Sequence, residues 1–243
     1  MKFFLAFLVV VIHIGFTGYA GLGIKAFARI AVPMFFMITG YYLPVMSDEK
    51  FRKYLIKITS LTVFSTLFYT LISYIQSQTG SHVSADWFAQ TFSMKSMLIW
   101  VLLNGFMLAG HLWYFYALLY VLIIIYIARR LKKMNMLYMV IPFLFLGDYL
   151  LSFYGYIVCY RNFLFLGLPY VLLGSLFRNY ENRILDMFNK SRTLILGFVV
   201  TCISLCVEML VYKLAGCIVV RDHYLFTLPM VVCVFIWALR NPH

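Results

Sequence analysis

Apolar residues fall along this chain in blocks close to the roughly 20 residues that an α-helix needs to cross a bilayer core, with short polar or charged stretches between them. Read in a window of about 19 residues, the pattern predicts helices at 3–19, 30–46, 54–76, 111–129, 136–154, 162–178, 193–213 and 224–240. The stretch 77–110 breaks the rhythm. Ser77 to Trp87 is polar, and Met94 to Leu108 is apolar but interrupted by Lys95, Ser96, Asn104 and Gly105, as an interfacial or re-entrant segment would be. A ninth span at 94–108 stays open. The expected fold is all-α, a polytopic transmembrane helix bundle of about eight spans. No repeat of fixed period and no Gly/Ser linker divides the chain, so residues 1–243 read as a single membrane-embedded domain.

Composition agrees with the pattern. With 64% hydrophobic and 12% charged residues, the chain is neither a soluble globular domain, where about a quarter of residues are charged, nor a disordered one. The first apolar run lacks a small-residue cleavage site and is followed by further spans, so it is expected to stay as a helix. The five cysteines sit mostly within apolar runs and form no zinc-like pairs. They read as reduced, buried small residues. Cys202 and Cys206 share a helix face, but no third ligand lies at useful spacing, and no metal is expected. The P-loop, GxSxG and HExxH patterns are absent.

Charge gives the orientation. The net charge of +12 could suggest a nucleic-acid partner, but basic loops follow from membrane insertion alone, and no nucleic acid is expected. Lys2, Lys50, Arg52, Lys53, Lys57, Arg129, Arg130, Lys132, Lys133, Arg178, Arg183, Lys190, Arg192 and Arg240 fall on one side of the eight-span pattern. Only Lys25, Arg29, Lys95, Arg161, Lys213 and Arg221 fall on the other. Since cytoplasmic loops retain Lys and Arg, both termini are expected in the cytoplasm.

Ionisable residues inside spans are costly and by default mark function. His13 is the first. Eleven residues at 100° each bring Lys2 and His13 within about 20° of one helix face, about 16 Å apart along the axis, with Lys2 at the cytoplasmic rim and His13 near the bilayer middle. The plainer alternative is a histidine hydrogen-bonded to a neighbouring helix, with Lys2 an ordinary inside charge. Arg29, His111, Arg161, Glu208 and the Asp222/His223 pair converge on the outer side, where span ends also simply border water. Glu208 is the hardest to dismiss, because apolar residues surround it in sequence and a basic partner such as Arg161 or His111 would offset its cost. Asp148 reads as a helix-end residue facing water. The run Trp113, Tyr114, Phe115 and Tyr116 suits either an interfacial belt or a carbohydrate-stacking surface, and the pair Thr39 and Gly40 would let helices approach closely.

Four separated stretches carry a resemblance. Lys2 through His13 resembles the first span of the membrane acyltransferase-3 family, whose signature is a basic residue, normally Arg, ten intervening residues and a His. Arg29-Ile30-Ala31-Val32-Pro33-Met34-Phe35-Phe36-Met37-Ile38-Thr39-Gly40-Tyr41 is similar to that family's arginine, Val-Pro-x-Phe-Phe and Ser-Gly-aromatic pattern. His111-Leu112-Trp113-Tyr114, and Arg161-Asn162-Phe163-Leu164-Phe165-Leu166-Gly167-Leu168-Pro169 followed by Gly174, resemble its later elements, in the right order.

The resemblance implies an integral-membrane O-acyltransferase of the cell (plasma) membrane, bacterial in setting. It would move an acyl group, usually acetyl, from acyl-CoA to a hydroxyl of a cell-surface or lipid-linked carbohydrate. No bound cofactor is implied; acetyl-CoA or another acyl-CoA is a substrate. In the family's pattern His13 corresponds to the essential histidine and Lys2 to the basic residue. The residues themselves add Glu208 to this catalytic set as a structural or electrostatic partner, and Arg29, His111, Trp113 and Arg161 as the substrate-binding set, with Arg29, Arg161 or His111 as oxyanion donors. Lys2 puts a point charge where the family has a bidentate fork. The family commonly has ten spans, so truncation at the C-terminus stays open. The rival class is a transporter or flippase for a small polar solute or lipid-linked saccharide, since intramembrane His, Glu and Arg also serve proton relays and substrate sites.

Overall fold

Helices account for every regular element among the described residues. The computed structural model describes residues 2–14, 18–79, 86–103, 110–152, 161–189, 191–216 and 224–241. Each of the eight predicted segments coincides with helix, but the lengths differ from expectation. The first apolar run divides into α1 (Lys2–His13) and α2 (Gly18–Ala28), which runs on through a two-residue turn into α3 (Ala31–Tyr42). Gly18 opens α2 at φ +75°, a left-handed conformation that a side chain would resist.

The turn at Arg29 and Ile30 has a local cause. Pro33 has no N–H, so the carbonyl of Arg29 cannot receive the usual i+4 bond. The Arg29 N–H reaches the Lys25 and Ala26 carbonyls at 3.2 and 3.3 Å, and Met34 resumes the ladder on Ile30. Residues Ala20–Val45 thus form one apolar run of 26 residues instead of the 30–46 segment.

Four more helices are long and apolar enough to cross a membrane: α4 (Asp48–Gln78), α7 (Trp113–Arg130), α8 (Met134–Ser152) and the segment Arg192–Leu214 within α11 (Ser191–Leu214). Between α4 and α7 lie two short helices, α5 (Trp87–Thr91) and α6 (Met94–Leu103). At ten residues α6 spans about 15 Å, half a bilayer core, and Asn104 and Gly105 lie outside the described residues. A π-turn (Phe163–Gly167) leads into α9 (Leu168–Asn179), which meets α10 (Glu181–Met187) at 86°. The Arg178 guanidinium holds that bend by donating to the Tyr41 hydroxyl at 2.9 Å and to Glu181 at 2.7 Å. Helix α12 (Thr227–Arg240) closes the chain. By length and composition the described residues contain five candidate spans, or six if the bent pair counts as one, instead of eight. Helices α1 and α12 are apolar but short, about 18 and 21 Å.

The core centres on the antiparallel crossing of α3 and α9. Gly40 lies so close to α9 that an added Cβ would sit 1.9 Å from the Val171 carbonyl oxygen. A Cβ on Gly174 would sit 2.0 Å from that of Met37. The close approach expected at Thr39 and Gly40 is therefore a two-glycine contact, in which backbones meet because no side chain separates them. Ile30, Met34, Phe36, Met37, Tyr170, Val171 and Leu172 fill the surrounding volume and are fully buried. Just beyond Gly40, Arg129 donates to the carbonyls of Leu43 and Met46 at 3.2 and 3.0 Å, pinning the end of α7 to the turn between α3 and α4.

Candidate active site

His13 is the last residue of α1 rather than the middle of a 3–19 helix, so its imidazole is presented at a helix end. There it borders a small cavity of about 70 Å³ lined by Val9, Ile12, His13, Arg29, Val32, Pro33, Gly110, Trp113, Arg161 and Leu166. Four segments far apart in sequence converge on it: the end of α1, the α2–α3 turn, the start of α7 and the residues around the π-turn. The cavity is small beside the roughly 300–1,000 Å³ of a typical small-molecule pocket. It has room for the reacting end of a substrate.

Each lining group has a structural reason to be there. The proline-induced turn removes the Arg29 carbonyl from the regular ladder at the cavity wall. Arg161 precedes Asn162, whose buried side chain caps the π-turn by accepting from the N–H groups of Leu164 and Phe165 at 2.9 and 3.0 Å. The extra residue of that turn carries Leu166 into the cavity wall; π-bulges of this kind recur at functional sites. Gly167 fits between Phe36 and Val121 because an added Cβ would already be 3.1 Å from Val121. Trp113 and Tyr114 turn inward onto Phe36, with ring centroids 6.2 and 4.7 Å away. Both pack against the core, and Trp113 also lines the cavity. The cavity wall therefore brings one histidine together with two arginines, residue types suited to developing negative charge beside a proton acceptor.

The remaining expected residues lie elsewhere. Lys2 opens α1, with its backbone about 16 Å along the axis from His13. His111 stands in the exposed turn between Gly110 and Trp113, edge-on to the Tyr69 ring at 4.9 Å. Its pKa is lowered from the ordinary value, first by partial burial and then by the nearby His13. Glu208 does not line the His13 cavity and does not pair with Arg161 or His111. Its carboxylate accepts from the backbone N–H groups of Leu225 at 2.9 Å and Phe226 at 3.3 Å, ahead of α12. The unpaired N–H groups that precede a helix offset the cost of this carboxylate without a basic side chain. It borders a second pocket with Tyr149, Ser204 and Tyr212.

Asp148 is fully buried instead of facing water. Its place in α8 turns it toward α9 and Tyr170, a direction that the apolar pattern alone does not carry. Asp222 and His223, with Cys159 and Cys217, lie outside the described residues. Sequence reasoning missed Tyr69, for which the chain carries no local signal. It also missed α2, although Gly15 and Gly18 break the first apolar run.

Comparison with known proteins bears on this arrangement. No solved structure matches the chain. An amino-acid racemase of Enterococcus faecalis is 36% identical over 98 residues, which cover 36% of this chain and 12% of the racemase. The chain thus matches only a small part of that curated relative. The model of the acyltransferase-3 family, described as an acyltransferase domain, matches residues 1–243, so the chain belongs to that family of membrane acyltransferases.

Proposed function

We propose that the protein is an O-acyltransferase that takes an acyl group, typically acetyl, from acyl-CoA and places it on a hydroxyl of a cell-surface or lipid-linked carbohydrate. The setting is a bacterial plasma membrane, with both termini in the cytoplasm. The observation that carries this reading is the convergence of His13, Arg29, Trp113 and Arg161 on one cavity. The racemase match covers too little of that protein to bring its activity to this chain.

The chemistry follows from those groups. Imidazole has the ordinary pKa nearest neutrality, which suits it to take the proton from an acceptor hydroxyl as the oxygen attacks the thioester carbonyl. The carbonyl oxygen becomes an oxyanion, and the Arg29 and Arg161 guanidinium groups at the same cavity stabilise it. The C–S bond then breaks and CoA leaves as the thiolate. His111 and Trp113 contact the acceptor at the cavity mouth. Lys2, at the far end of α1, attracts the anionic donor.

General-base catalysis is worth typically 10²–10⁴-fold. His13→Ala is therefore expected to reduce acyl transfer by about that factor while leaving protein levels in the membrane fraction unchanged. The assay is release of free CoA thiol from acetyl-CoA by protein in lipid nanodiscs. Near-normal turnover by the variant would sink the assignment, and loss of protein together with activity would return His13 to a packing role.

A further inference from the structure

Helix α4 carries a line of hydroxyl side chains along its length. Thr59, Thr62, Thr66 and Thr70 each bond back to the carbonyl four residues earlier, at 2.7 to 2.9 Å. This leaves their oxygens close to the helix surface. One of them meets α7 directly, because Thr66 and Tyr116 share a hydroxyl–hydroxyl hydrogen bond. That contact fixes the register of two antiparallel helices. Three residues further along α4 and five residues back from Tyr116, the same register brings Tyr69 against His111, ring edge to ring face at 4.9 Å and 71°.

His111 lies in an exposed turn, so its imidazole would have many orientations without a neighbour. Tyr69 is the ring it rests on, and Gly110 and Trp113 on either side of it border the His13 cavity. We propose that Tyr69 is a positioning residue: its ring holds the His111 imidazole at the mouth of the His13 cavity, in one orientation and partly shielded from water. The role in acyl transfer rests on the function proposed above, whereas the positioning itself does not. Other groups also set the charge at this mouth. His13 faces His111 from α1, Tyr69 faces it from α4, and Arg29 and Arg161 contribute positive charge from the cavity wall.

The sign of the effect follows from the shielding. Burial disfavours protonated imidazole, so removing the ring packed against it is expected to raise the pKa of His111 toward its ordinary value. Tyr69→Phe keeps the ring and is the rescue variant; Tyr69→Ala removes it. Protein with ¹⁵N-labelled histidine, in nanodiscs, gives the titration midpoint and tautomer of His111 by NMR, assigned with His111→Gln. The expected result is a midpoint near wild type in Tyr69→Phe, and in Tyr69→Ala a higher midpoint with a mixed tautomer signal. An unchanged midpoint and tautomer in Tyr69→Ala overturns the proposal, as does the same change in Tyr69→Phe. If the wild-type protein consumes no acetyl-CoA, the acyltransferase reading falls, and the NMR result alone decides the role of Tyr69.

Discussion

Gly40 and Gly174 offer the sharpest physical test of the architecture. In Gly40→Ala the new methyl would sit 1.9 Å from the carbonyl oxygen of Val171, 2.7 Å from its carbonyl carbon and 2.8 Å from its Cα. All three are backbone atoms, so no side-chain rotation relieves the contact. Ordinary contact begins near 3.4 Å, and the helices must part by about 1.5 Å, against the roughly 1–3 kcal/mol usual for an overpacked core. With backbone on both sides the cost should fall at the upper end, about 3 kcal/mol.

For a chain of this length that is a fall in melting temperature on the order of 6–12 °C. Gly23→Ala is the control: it lies in α2 with nothing within 4 Å of its added Cβ. Alanine there should be neutral or stabilise by up to about 1 kcal/mol. Thermal unfolding in one detergent, followed by tryptophan fluorescence, compares the variants. Gly174→Ala should behave like Gly40→Ala. The double variant should cost less than the two single costs added together, because both methyls push the same pair of helices apart. Activity should fall with stability, since α9 begins at the π-turn that carries Leu166 to the cavity. A Gly40→Ala protein that melts with or above Gly23→Ala would refute the two-glycine crossing.

Glu208→Ala should destabilise the start of α12 by about 1 kcal/mol, in line with loss of a helix cap, read as faster hydrogen exchange at Leu225 and Phe226. Glu208→Gln, which keeps one acceptor, should lose less, and equal exchange in all three proteins would refute the capping role. Lys2→Arg should keep or raise acyl transfer and Lys2→Ala should weaken it; equal rates in all three would leave Lys2 as an orientation signal only. A single cysteine placed at Lys132 should resist an impermeant thiol reagent on intact cells and react once the membrane is opened. Labelling from outside would invert the proposed orientation.

Much of this molecule is legible in one dimension. Apolar blocks of membrane-crossing length predict helices, and helical backbone forms at all eight of those positions because in lipid it satisfies its own hydrogen bonds. The resemblance carried by Lys2 through His13, the Arg29-to-Tyr41 stretch, His111 to Tyr114 and the residues from Arg161 holds for the whole chain. Hydropathy sums over a window and does not register single backbone events, so it missed the end of α1 at His13 and the break that Pro33 imposes at Arg29. It likewise could not anticipate how short α1 and α12 are.

Partners were decided by tertiary structure. In sequence Glu208 is an isolated carboxylate in an apolar run, which predicts a basic side chain as its partner. In the fold, the N–H groups of Leu225 and Phe226 ahead of α12 satisfy it instead. Asp148 reads as a helix-end residue until α8 packs against α9 and buries it. Tyr69 carries no signal at all, because its meeting with His111 depends on the register of α4 against α7, set by Thr66 and Tyr116, which are 50 residues apart. Helix formation is local and leaves its mark on neighbouring residues. Which helix faces meet depends on contacts between residues far apart in the chain, and a single sequence does not record that choice.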